Sequence, residues 1–170
     1  MSLQHALIRA RGCVQRGQID SAIKLYRGLL VTFAKHPQVN ADLGLLLLQH
    51  RGAQDAVPYL NRAVAALPTA FQPWVCLVIA HQRCGDLVSA RAVLAQMHAQ
   101  GFDPASLAVY EQELNEPTPD AVQALTQLIR SGNRISAEIA ARMMVADYPN
   151  SDTARDSLVR VMDMEVVDAA

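Results

Sequence analysis

Three alanines constrain this chain more than any other feature. Ala22, Ala56 and Ala90 stand 34 residues apart each time, and the residue four later is Tyr26, Leu60 and Leu94. A spacing of four puts both residues on one helix face. A recurring alanine there marks where two helices come closest: a larger side chain would push them apart, and the bulky neighbour fills the space beside it. A period of this length fits one helix–turn–helix unit, which cannot bury its apolar face alone, so stacked neighbours must make the core. Composition agrees, because Ala and Leu dominate and aromatics are only 5%, a mix that favours closely packed helices over a β-sandwich.

The units are expected at about 3–36, 37–70 and 71–104. In the first, Gly17 ends one helix where a left-handed residue is wanted, and Asp20 lies near the start of the next. The second carries Leu43, Gly44 and Leu47, then Ala56, Leu60, Ala63 and Pro68; its Gly52 arrives one residue late, with Arg51 in the usual glycine place. The third carries Trp74, Leu77, Gly85-Asp86, Ala90 and Leu94. This set resembles the tetratricopeptide (TPR) repeat, whose pattern is W-x-x-L-G-x-x-Y…A-x-x-x-F…P over about 34 residues. Departures are Ala6, Arg9 and Ala34 in the first unit, and Val78 and His81 in the third.

After 104 the period breaks. Residues 105–117 read as an inserted helix with Leu107, Val109, Tyr110 and Leu114, ending at Asn115-Glu116-Pro117. A fourth, degenerate repeat follows at 118–151, with Leu125, Leu128, Gly132, Ala137, Ala141, Met144 and Pro149. Asn150-Ser151-Asp152 then caps a last helix within 152–170, with Ala154, Leu158, Val161 and Met162 on one face and a frayed tail at 165–170. The expected fold class is therefore all-α. The resemblance implies a right-handed α-α superhelix, a TPR solenoid of about four helix pairs plus the inserted and capping helices, with the first helix of each pair lining a concave face.

The motifs of several chemistries are missing. There is no Gly-rich phosphate loop, no G-x-S-x-G and no H-E-x-x-H. His81-x-x-Cys84 offers two ligands where zinc needs about four, so both read as packing or surface residues. Asp20, Asp55 and Asp86 recur near turns and read as helix-start carboxylates. Cys13, Cys76 and Cys84 form no C-x-x-C and read as buried thiols in a reducing compartment. A net charge of −1 without a basic stripe disfavours nucleic acid. No apolar run approaches a membrane span, and MSLQHALIRARG lacks a signal pattern, so a cytoplasmic, non-enzymatic protein without metal or cofactor is expected.

The resemblance also implies which residues face the groove: Gln4, Leu7, Arg11, Val14 and Gln15; Gln38, Ala41, Leu45, Leu48 and Gln49; Gln72, Val75, Ile79, Gln82 and Arg83. Its middle is apolar, with Arg11 and Arg83 at the edges. The family's Lys/Asn carboxylate clamp is missing, since Leu7, Arg11, Asp42, Gln72 and Cys76 occupy those places. The implied function is a bacterial-type scaffold or adaptor that holds a partner peptide or amphipathic helix, anchored by Leu45, Leu48, Val75 and Ile79. Self-association, or a groove filled by the chain's own Leu107, Tyr110 and Leu114, stays open. So do two other readings: an N-terminal module of a larger bacterial glycosyltransferase or sulfotransferase, similar around 132–151, and a secretion-system chaperone.

Overall fold

The computed structural model describes residues 3–163, so the tail expected to fray at 165–170 lies outside the described residues. Ten α-helices make up the described chain: α1 Leu3–Gln15, α2 Ile19–Thr32, α3 Pro37–His50, α4 Ala53–Ala66, α5 Phe71–Arg83, α6 Leu87–Ala99, α7 Pro104–Asn115, α8 Pro119–Arg130, α9 Arg134–Asp147 and α10 Asp152–Asp163. No strand occurs among the described residues. The fold is an all-α helical-repeat solenoid with four helix pairs, an extra helix and a terminal helix. It divides into two compact units, Met1–Leu107 and Ala108–Ala170, and the division falls inside α7.

In the first unit α1 packs on α2, α3 on α4 and α5 on α6, while α2 meets α3, α4 meets α5, and α3 also touches α5. The repeated alanines explain this stacking. Ala22, Ala56 and Ala90 are fully buried, and Tyr26, Leu60 and Leu94 are buried beside them. Gly44 serves the same close approach from the other side: a Cβ built on it would lie 2.8 Å from Leu60 Cγ. Trp74 is buried, donates its indole N–H to the Pro68 carbonyl at 2.9 Å, and meets Phe102 edge-on.

The turns follow local chemistry. Gly17 and Gly85 adopt φ of 70° and 75°, the left-handed region that ends a helix without Cβ strain. The second turn differs. Gly52 is extended at φ 173° and Arg51 sits at φ −125°, so no left-handed residue is used there. Arg51 instead forms an ion pair with Asp20 of the preceding turn. Asp86 caps α6 by accepting from the Ser89 N–H at 3.0 Å, whereas Asp20 and Asp55 lie in first turns without capping. Pro37 follows the His36 cap of α3, whose Nδ1 accepts from the Val39 N–H at 3.3 Å.

The second unit packs α8, α9 and α10 around Leu125, Ala137, Ala141, Met144, Ala154 and Val161. Thr118, Asn133 and Ser151 cap the three helices. Ser151 is fully buried; its hydroxyl accepts from the Ala154 N–H at 3.1 Å and donates to Glu116 at 2.7 Å, which ties the segment before α8 to the start of α10. Met162, expected on the buried face of α10, is exposed; Ser157 takes the buried place one turn from Ala154 and Val161. Cys84 is also corrected: it is exposed at the end of α5, while Cys13 and Cys76 are buried as expected.

Candidate functional site

Two pockets lie along the first helices of the first unit, and both are lined by residues of α1–α5 and the connections between them. The first, of about 270 Å³, sits between α1 and α3 over the middle of α2 and is walled by Val14, Leu45, Leu46 and Tyr26, with Arg11, Gln15, Asp42 and Gln49 at its polar positions. The second, of about 210 Å³, sits between α3 and α5 over α4 and is walled by Leu45, Leu60, Leu67, Pro73 and Cys76, with Gln38, Gln72 and Asp42, which also lines the first pocket, beside it. Leu45 forms part of both walls, so the pockets are consecutive along one face.

The first pocket has a built polar cluster. Arg11 donates Nε–H to Asp42 Oδ2 at 3.0 Å, the Tyr26 hydroxyl donates to the same oxygen at 3.3 Å, and Gln38 donates to Asp42 Oδ1 at 2.6 Å. The Asp42 side chain is 19% exposed and Arg11 52% exposed, so the carboxylate is largely enclosed by its donors while the guanidinium reaches solvent. Asp42 raises the Arg11 pKa further, by its hydrogen bond and then its charge. Burial, with the Asp42 charge second, pushes Tyr26 up to about 12, so its hydroxyl remains a donor throughout the physiological range.

The residues one 34-residue period on from the polar cluster line the second pocket. Arg11, Tyr26 and Asp42 are replaced by Leu45, Leu60 and Cys76, while Gln38 is matched by Gln72. The Gln72 amide donates to Cys76 Sγ at 3.5 Å, and burial holds the Cys76 thiol above its ordinary value, against that bond. Cys76 is therefore a packing thiol rather than a nucleophile.

Among the residues expected to face a groove, Arg11, Val14, Gln15, Leu45 and Gln49 come together in the first pocket, and Gln38, Ala41, Leu45 and Gln72 in the second. Gln4, Leu7, Ile79 and Gln82 line neither. Leu48 and Val75, expected as anchors, are 6% and 5% exposed and belong to the core. Each stands three residues past a pocket residue, Leu45 or Gln72, which rotates it about 60° around the helix, off the pocket face. Arg83 lines neither pocket, and its guanidinium donates to the Leu48 carbonyl at 3.1 Å. That carbonyl is one of the last four of α3 and lacks an intrahelical partner, so Arg83 closes a helix end in the neighbouring repeat. Tyr26 and Leu60 were not expected in the site because they belong to the second helices of their pairs.

His81 Nδ1 lies 3.4 Å from Asp86 Oδ2, near the exposed Cys84. No group of three His, Cys, Asp or Glu side chains among the described residues is placed to hold a metal. Among the same residues, no helix is long and apolar enough to cross a membrane.

No protein-family model and no curated protein matches the sequence. Solved structures do match. The crystal structure of MamA protein aligns with a TM-score of 0.56 at 15% identity, over 96% of this chain and 82% of that one. A further crystal structure of MamA gives 0.55 at 18% identity, over 99% and 98%. A MamA RS-1 double mutant gives 0.54 at 16%, over 94% and 72%. At such identities the likeness concerns the fold, which is TPR-like.

Proposed function

We propose that this protein is a non-catalytic protein-interaction module that holds a peptide segment of a partner along α1, α3 and α5. The observation that carries the reading is the pair of consecutive pockets sharing Leu45, each about the size for one side chain and each flanked by exposed glutamines. Side-chain amides both donate and accept, so Gln15, Gln38, Gln49 and Gln72 suit the alternating N–H and C=O groups of a peptide backbone. Apolar anchors supply affinity and the backbone contacts fix orientation. Unpaired Cys13, Cys76 and Cys84 support a reducing, cytoplasmic setting.

The test is selection of displayed random peptides on the full chain, with Leu45→Glu and Leu48→Glu compared. Leu45 is partly exposed between the pockets, so Leu45→Glu is expected to keep the circular-dichroism melt and abolish enrichment. Leu48→Glu buries a charge in the core and is expected to unfold the unit. Enrichment that survives Leu45→Glu would move the binding site elsewhere.

A further inference from the structure

We infer that the pocket between α1 and α3 is a subsite for an acidic–apolar segment of a partner protein. A large apolar side chain enters between Val14, Leu45 and Leu46, and an Asp or Glu within two residues of it meets Arg11. This rests on the peptide-groove reading and specifies the chemistry of its ligand.

The first argument is the geometry of Arg11. Its Nε donates to Asp42, Tyr26 stands beside it, and its side chain is 52% exposed, so the guanidinium reaches solvent. Asp42 is itself fixed by Tyr26 and Gln38. The guanidinium is therefore pre-oriented at the pocket and open to solvent, where a partner carboxylate can meet it by charge-assisted hydrogen bonds. Holding a long side chain in place beforehand lowers the ordering cost of binding.

The second argument is internal to the repeat. The next pocket shows that the fold is satisfied by Leu45, Leu60 and Cys76 at the positions of Arg11, Tyr26 and Asp42. Packing between repeats does not require the polar cluster, so its presence in the first pocket calls for a ligand that uses it. A basic ligand is disfavoured because Asp42 already accepts three hydrogen bonds and is largely covered.

The third argument is charge. Residues 1–107 contain ten Lys and Arg against five Asp and Glu, whereas residues 108–170 contain five against eleven. The near-neutral total conceals a basic first unit, whose field draws acidic segments toward the pocket. The pocket, at about 270 Å³, lies below the roughly 300–1,000 Å³ of small-molecule sites, which favours one inserted side chain over a whole small ligand.

The experiment uses the full chain and a display library of random peptides of about 12 residues, selected on wild type, Arg11→Gln and Leu45→Glu. Peptides enriched on wild type are expected to carry Asp or Glu within two residues of a large apolar side chain, and Arg11→Gln is expected to remove the acidic preference but not the apolar one. The best peptide, labelled with fluorescein, should bind about 10-fold more weakly when its acid is changed to the amide, and this difference should vanish on Arg11→Gln. Arg11→Lys keeps the charge without the fork and should recover only part of the effect, which also serves if the Gln variant folds poorly. Enrichment without acids, or acids enriched equally on Arg11→Gln, would overturn the subsite and leave the groove standing. No enrichment on wild type, or enrichment that Leu45→Glu leaves intact, would overturn the groove as well. Sedimentation of the protein alone completes the set: a salt-sensitive self-association lost in Arg11→Gln would identify the occupant as the acidic half of a second copy, against a foreign partner.

Discussion

Gly44 offers the sharpest test of the packing that forms the site. In a helix interior, Gly→Ala normally stabilises by about 1 kcal/mol, because Gly has the larger conformational freedom to lose. At Gly44 the added Cβ would stand 2.7 Å from Leu60 Cδ2, 2.8 Å from Leu60 Cγ and 3.3 Å from the Leu60 backbone nitrogen. The Cγ and backbone contacts cannot be relieved by turning a flexible tip, and Leu60 is fully buried. Overpacking of this kind costs about 1–3 kcal/mol, so the net effect is a loss of about 1 kcal/mol. Gly28 is the control: it lies within α2, is exposed, and an added Cβ meets nothing within 4 Å. Gly28→Ala should therefore gain about 0.5–1 kcal/mol. Urea unfolding followed by circular dichroism should separate the two variants by about 2 kcal/mol, or about 4–8 °C in Tm. Leu60→Ala costs about 2–5 kcal/mol alone, and less when combined with Gly44→Ala because the new methyl enters the vacated space. If Gly44→Ala stabilises the protein as much as Gly28→Ala does, α3 and α4 are not in the close contact described.

Three further outcomes are expected. Tyr26 has its pKa raised from about 10 to about 12 in the folded chain, so its contribution is full below pH 10 and is lost as pH rises toward 12; urea titrations across that window should show a fall of about 1–2 kcal/mol that Tyr26→Phe reduces. Arg83→Ala removes the donor to the Leu48 carbonyl and should cost about 0.5–1.5 kcal/mol in the first unit, read as the same urea midpoint. Ser151→Ala deletes the α10 cap and its bond to Glu116, and should cost about 1–2 kcal/mol, with faster amide exchange in α10 and no change in α3.

The repeat was legible because one physical demand recurs at fixed spacing. Only a small residue fits where paired helices touch, so Ala22, Ala56, Ala90 and Ala137 announce themselves, and all four are fully buried. Gly17, Gly85 and Gly132 were legible for a similar reason, since a left-handed turn leaves few alternatives. Gly52 reads as a displaced version of the same device, but the chain there is extended and Arg51 turns to Asp20, a contact between neighbouring turns that local sequence does not display. Met162 and Ser157 exchange expected roles because burial on α10 depends on where α8 and α9 lie, not on hydropathy alone.

The site was legible to the extent that it repeats. Positions carried along the period include Arg11, Leu45, Gln38 and Gln72, which line the pockets, and Leu48 and Val75, which are buried, because a list of helix positions does not distinguish a residue facing open space from one rotated by about 60° into a neighbour. The departure from the repeat proves more informative than the repeat. Leu45, Leu60 and Cys76 are ordinary packing residues, and they show what these positions need for the fold. Arg11, Tyr26 and Asp42 meet at the equivalent place from three different helices, 16 and 31 residues apart along the chain from Asp42. No local pattern marks such a convergence, since each residue alone reads as a surface charge or a core aromatic. Once they are seen together, the contrast with Leu45, Leu60 and Cys76 one period on separates what holds the helices from the polar cluster on which the proposed subsite rests.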